Sequence, residues 1–129
     1  KGEISEGELM DNYVTFLAGI FRSVRFGASS AHGRANMIRF NYFSQAGAFS
    51  RDSDTGTYRV NVAAFEQAVK GLSTKLLTLQ GDGDYQTVAT FVADNGQVSE
   101  QLQGDLDRLA AASIPVDIVY KQGKEVLGL

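Results

Sequence analysis

Residues Ser5 to Gly47 read SEGELMDNYVTFLAGIFRSVRFGASSAHGRANMIRFNYFSQAG, and this stretch decides the fold class. Ser5-x-x-Glu8 is a capping-box pattern, in which a serine hydroxyl and a glutamate carboxylate three residues on satisfy each other's backbone amides and start a helix. Leu9, Tyr13, Phe16, Ile20 and Val24, joined by Leu17 and Phe21, recur at helical spacing and predict a first helix from Glu6 to Arg25. Gly27 ends it, and Ser29 or Ser30 can cap the next. The second helix is expected from Ala31 to Ala46, with an apolar stripe of Ala31, Ala35, Ile38 and Tyr42. Beside that stripe run His32, Asn36, Arg39 and Phe43, at i, i+4, i+7 and i+11, which places three polar side chains on one helix face. Gly47 breaks the helix.

The remaining chain continues in the same style. Phe49–Arg51 and Thr57–Asn61 are expected as two short strands around the turn formers Asp52-Ser53-Asp54-Thr55-Gly56. Asn61 can cap a third helix, whose stripe is Phe65, Val69, Leu72, Leu76 and Leu79 and which Gly81 closes. Asp82 or Asp84 caps a fourth, short helix bearing Val88, Phe91 and Val92 and ending at Asn95-Gly96. Ser99 caps a fifth with Leu102, Leu106 and Leu109, and Pro115 follows its end. Val116 to Tyr120 reads as a strand or an extended tail, and Lys121 onward as a free C-terminus. The expectation is therefore a mainly α fold: a compact bundle of about five helices with a small β-hairpin between the second and third. It forms one domain over 1–129, with a helical pair over 1–47 carrying a cleft face, the hairpin over 48–61, and a helical scaffold and tail over 62–129.

Composition sets the outer limits. A chain of 129 residues with 43% hydrophobic and 21% charged residues can build one core without covalent staples. It contains no cysteine, which excludes disulfides and thiolate chemistry and leans toward a reducing, cytoplasmic compartment without establishing one. No apolar run is long enough to span a bilayer. Lys1, in place of a methionine, predicts a processed or excised chain, and the polar stretch that follows it is no signal peptide. The net charge of −3 conceals an asymmetry: no acidic residue lies between Asp11 and Asp52, while Arg22, Arg25, Arg34, Arg39 and Arg51 all do. Such a stretch either faces an anion or an acidic neighbour, or it pairs with carboxylates elsewhere in the fold.

Several chemistries fail on residue inventory. A catalytic zinc usually takes three protein ligands, and this chain has one histidine, no cysteine and no H-E-x-x-H. A serine triad would have to use His32, and no G-x-S-x-G elbow is present. Asp52-x-Asp54-x-Gly56 resembles the start of a calcium loop, but the twelfth position, where a bidentate glutamate is needed, is Ala63. Gly81-Asp82-Gly83-Asp84 lacks a phosphate loop's lysine and carries two negative charges where a phosphate would sit, so it reads as a helix end followed by a cap. Nucleic-acid binding finds no motif, and the aromatics among the arginines fall at core spacing. What remains is the face of His32, Asn36 and Arg39, whose side chains can hold carbonyl and carboxylate oxygens.

Phe21 to Phe43, FRSVRFGASSAHGRANMIRFNYF, resembles the C-terminal helical region of the dipeptidyl-peptidase III-like zinc metallopeptidases, in particular a bacterial branch. The resemblance continues through Gly56-Thr57-Tyr58-Arg59-Val60, through Leu77 to Tyr85, and through Ile114-Pro115-Val116. It implies a two-lobed parent protein with a wide cleft, whose zinc is held by an H-E-x-x-x-H helix and an E-E-x-x-[RK]-[AE]-[DE] helix. Neither motif is in this chain, so the resemblance implies no metal ligand and no cofactor here, zinc in the parent, an upstream zinc-binding domain of the same chain as partner, and a peptide substrate. It implies neither nucleic acid nor membrane as partner.

The family's cleft histidine matches His32 in Ala31-His32-Gly33-Arg34-Ala35-Asn36, and its implied role is to hold the scissile carbonyl during attack. Where the family often has arginine four residues later, this chain has Asn36. That leaves Arg39, one turn further along the face, to supply charge as a substrate contact beside Asn36. The function so implied is a cleft-lining domain of a zinc-dependent peptidase-like hydrolase, inactive as an isolated fragment. The alternatives are a non-catalytic helical interaction module using its arginine-rich face, and a parent zinc hydrolase with a non-peptide substrate.

Overall fold

The computed structural model describes residues 4–117 and 120–128. Within them the helices are α1 (Glu6–Val24), α2 (Ala31–Gln45), α3 (Val62–Asp82), α4 (Tyr85–Asn95), α5 (Glu100–Ala111) and a single turn, α6 (Lys124–Leu127). The strands are β1 (Phe49–Arg51) and β2 (Tyr58–Val60), paired antiparallel between α2 and α3 with Phe49 opposite Val60 and Arg51 opposite Tyr58. The mainly helical fold with one hairpin between the second and third helices is as the sequence predicts. The turn α6 is an addition to the free C-terminus expected from Lys121 onward. The strand or tail expected over 116–120 includes residues 118 and 119, which lie outside the described residues.

The helix starts follow their capping residues. Glu8 N donates to Ser5 Oγ at 3.3 Å, and Ser5 N donates to Glu8 Oε2 at 2.8 Å, so the capping box closes. Ser30, Asn61, Asp84 and Ser99 each accept from the amide three residues on, which decides Ser30 over Ser29 and Asp84 over Asp82. The third helix runs past Gly81 to Asp82 and stops at Gly83, which takes the left-handed conformation at φ 63° that glycine adopts without steric cost. Gly81-Asp82-Gly83-Asp84 is thus a helix end and a cap.

The core gathers around α2, which packs against α1, α3, α4 and β1. Its buried residues are Gly33, Met37, Phe40 and Phe43. This corrects the expected stripe of Ala31, Ala35, Ile38 and Tyr42, whose members are exposed or only half-buried. The larger side chains Met37 and Phe40 bury more apolar area per position than alanine does, so they set the helix's rotation. Leu17, Ile20 and Val24 of α1, Phe65, Ala68 and Leu72 of α3, Phe49 of β1, Phe91 of α4 and Leu102 of α5 complete the core. Within the α3 stripe Val69 and Leu76 are exposed, while Leu79 packs partly buried against the core.

Gly33 is required where it stands. A Cβ there would lie 2.0 Å from the Gly27 carbonyl oxygen, and Gly27 itself turns at φ 84°. The α1–α2 corner is therefore pressed against the first turn of α2.

Met37 is fully buried, so Met37→Ala should destabilise the fold by about 2–5 kcal/mol, whereas Met37→Leu, which keeps the volume, should cost less than about 1.5 kcal/mol. Urea titration of the two variants beside the native protein checks both values.

Candidate functional site

His32 is the second residue of α2, just inside the Ser30 cap. Ser30 Oγ accepts from Gly33 N at 3.0 Å, which leaves the amides of Ala31 and His32 without an acceptor inside the helix. The His32 side chain is exposed and makes no hydrogen bond or ion pair with another described residue. One turn on, Asn36 is half-buried and its Oδ1 accepts from Arg39 Nη1 at 3.1 Å, while Arg39 is exposed. The structure therefore lays His32, Asn36 and Arg39 along one side of α2. It bonds the last two to each other and leaves the histidine free of both.

Phe43, the fourth member of that periodic set, is in the core instead, with its ring 5.0 Å from Phe65 and 6.1 Å from Phe16. Helices α1 and α3 meet this side of α2 at Phe43, through Phe16 and Phe65, while His32 and Arg39 stay exposed. A substrate carbonyl or carboxylate could be met there by the imidazole, the guanidinium and the positive end of the helix.

The acid-free arginines divide. Arg22 pairs with Asp117 at 3.3 Å, Arg25 donates to the Ile114 carbonyl, and Arg51 pairs with Asp105. These three reach across to the C-terminal part of the chain, as expected if the asymmetry serves internal pairing. Arg34 and Arg39 remain exposed on α2.

Sequence reasoning missed the most strongly held polar cluster. Asp105 of α5 is buried, and its carboxylate receives Arg51 Nε at 2.7 Å, Arg51 Nη2 at 2.8 Å and Tyr58 Oη at 2.7 Å, with Arg108 Nη1 at 3.7 Å. The Arg51 hydrogen bonds outweigh the cost of burial and, with help from Tyr58 and Arg108, hold the Asp105 carboxyl down at about 2. Burial, and then the bond to Asp105, push the Tyr58 phenol well above its ordinary range. The Arg51 guanidinium is raised by the same hydrogen bonds. A carboxyl so acidic holds no proton near neutrality and is unsuited to general acid catalysis. It serves as a clasp between the hairpin and α5. The signal was present in the sequence: Asp105 lies between Leu102 and Leu106 on the apolar side of α5, where an acid needs a cation.

Among the described residues no three His, Cys, Asp or Glu side chains come together to hold a metal. No helix among them is long and apolar enough to cross a membrane. Fold and site together describe a helical module that offers an exposed hydrogen-bonding helix face.

Comparison with known proteins places this module. No family model matches the chain. Among solved structures it is similar to the dipeptidyl-peptidase III of Caldithrix abyssi, with a TM-score of 0.76 and 40% identity over 82% of this chain and 20% of that one. It is also similar to the dipeptidyl-peptidase III of Corallococcus sp. strain EGB, with a TM-score of 0.79 and 35% identity over 91% of this chain and 21% of that one. Among curated proteins it is 39% identical over 118 residues to Nudix hydrolase 3 of Arabidopsis thaliana, covering 92% of this chain and 15% of the relative. The chain is thus dipeptidyl-peptidase III-like in sequence and fold over most of its length, and it spans about a fifth or less of each of these relatives.

The Asp105 clasp has a pH signature. A free aspartate takes up its proton near 3.8 and the folded one only near 2, so acid favours the unfolded state across that interval. The stabilisation is complete above about pH 4 and lost as the pH falls toward 2. Asp105→Asn should cost about 2 kcal/mol at neutral pH, the scale of hydrogen bonds to a charged group, and should show a shallower loss of stability between pH 4 and 2 than the native protein. Thermal melts across that range test it, and identical acid slopes for the two proteins would refute the assignment.

Proposed function

We propose that this chain lines the substrate cleft of a dipeptidyl-peptidase III-type hydrolase, at the C-terminal side of the parent protein, and supplies substrate contacts while the metal ligands come from elsewhere in the parent. The observation that carries this reading is His32: it sits in the dipeptidyl-peptidase III-like stretch, in the first turn of α2, exposed and with no internal partner. Exposed and unbonded to any other described residue, its imidazole is open to a ligand. The zinc such a peptidase holds would supply Lewis-acid chemistry from the other segment.

This chain's contribution is electrostatic. The His32 imidazole donates a hydrogen bond to the carbonyl oxygen of the scissile amide, and that bond strengthens as negative charge develops on the oxygen. The amides of Ala31 and His32 add the partial positive charge of the helix start. Arg39, oriented by its bond to Asn36, contacts a substrate carboxylate or backbone carbonyl. Asn36 presents its amide where arginine is common in the family, so peptide-end recognition rests on Arg39.

The similarity to Nudix hydrolase 3 supports a second reading, in which the parent uses the same polar face to hydrolyse a substrate other than a peptide. A non-catalytic module would leave His32 without a role in turnover.

The test is hydrolysis of dipeptidyl-arylamides by the full-length, zinc-loaded parent beside His32→Ala and Arg39→Ala. His32→Ala should lower kcat by about a hundredfold with little change in KM, as loss of one oxyanion donor does. Arg39→Ala should act mainly on KM. An active parent whose His32→Ala variant turns over normally would make His32 a surface residue and this chain a scaffold. A zinc-loaded parent that cleaves none of these substrates would favour the non-peptide reading.

A further inference from the structure

A groove of about 650 Å³ runs between α1, β2 and α5, lined by residues that include Met10, Val14, Phe21, Val60 and Leu109. Met10 is 50% exposed and Val14 44%. They continue the line of the core residue Leu17 and of Phe21, at i, i+4, i+7 and i+11, so the apolar side of α1 runs on past the core to its exposed N-terminal turns. At about 1.5 Å per residue, the stripe from Met10 to Phe21 extends roughly 16 Å, about three helical turns. Nothing in the internal packing requires Met10 and Val14 to be apolar, since both face solvent.

The edge of the groove is cationic. Arg59 is exposed and forms no ion pair with any described residue. Arg108 lines the same groove, and the carboxylate it approaches, Asp105, is already engaged by Arg51 and Tyr58. An apolar floor with the unpaired Arg59 guanidinium on its rim fits an amphipathic helix or strand that carries a carboxylate beside its apolar stripe.

The relatives indicate where such a segment would come from. Their chains are several times longer, since the matched part of this one spans 20% and 21% of the two solved peptidases and 15% of the curated hydrolase. A segment tethered to the groove competes at a high effective concentration against any free partner. We propose that the α1–β2–α5 groove seats an amphipathic segment of the same polypeptide from outside residues 1–129, with an aspartate or glutamate of that segment paired to Arg59. The inference rests on the length of the relatives and on this surface, and it holds whichever substrate the parent hydrolyses.

The experiment places the photo-crosslinking residue p-benzoylphenylalanine at Val14 in the full-length parent and maps the product by mass spectrometry. The expected result is an intrachain cross-link to a segment outside 1–129 that has an acidic residue within two turns of the linked position. Arg59→Glu should then lower the parent's thermal midpoint by several degrees, and reversing the charge of that acidic residue should restore it. A cross-link between two copies would make the groove an oligomer interface and overturn the proposal. So would a full-length parent that yields no protein cross-link at position 14 and an Arg59→Glu variant that melts with the native protein. Neither readout needs catalytic turnover, so failure here is distinguishable from failure of the peptidase reading.

Discussion

Phe40 and Phe43 leave α2 toward different neighbours, and the chain folds around what they meet. The Phe40 ring lies 5.4 Å from Phe21 of α1, 5.0 Å from Phe49 of β1 and 6.2 Å from Tyr58 of β2. Phe43 lies 5.0 Å from Phe65 of α3, which also stacks on Tyr13 of α1 at 4.6 Å. Each such pair contributes about 0.5–1.5 kcal/mol beyond the area it buries. One helix therefore fixes the positions of two others and both strands, with Met37 filling the space between. Removing this side of α2 would leave α1, the hairpin and α3 without a common surface.

The hairpin and α5 need a second device, because the hairpin has only three residues per strand and such a ribbon is marginal by itself. Asp105 supplies it by accepting from Arg51 on β1 and Tyr58 on β2 at once. Buried ion pairs add little net stability compared with apolar packing, but they fix orientation, since only one geometry satisfies every donor. Leu102, one turn before Asp105, anchors the same helix in the core. Helix α5 is thus held by one apolar and one polar contact, and its position in turn forms one wall of the apolar groove.

Local signals in the sequence were legible wherever they are enforced by local chemistry. Capping residues, glycine stops and the Asp52–Gly56 turn formers gave the helix and strand boundaries to within a residue or two, because backbone hydrogen bonding decides them within a single turn. The rotation of α2 was less legible. Ala31, Ala35, Ile38 and Tyr42 form as regular a stripe as Gly33, Met37, Phe40 and Phe43, and only side-chain size and the neighbours' positions choose between them. Leu76 shows the same limit, for its spacing in α3 is ideal and yet it stays 42% exposed. The Asp105 clasp joins residues 47 and 54 positions apart, a distance no periodicity can encode. His32, Asn36 and Arg39 were legible as a face because three polar residues at helical spacing need only the helix to align them.

The same rotation of α2 that buries Met37 and Phe40 is what presents His32. With Gly33 pressed against the Gly27 carbonyl and Met37 fully buried one turn later, the helix has no freedom to roll, so the residues beside them are held at a fixed angle to the surface. A side chain on a packed helix keeps its geometry better than one on a loop. The packed side and the polar side therefore constrain each other. A change in the core that turned α2 by a fraction of a residue would move the imidazole without touching it. For this reason conservative substitutions at Met37 or Gly33 bear on the His32 face as directly as substitutions at Arg39 do.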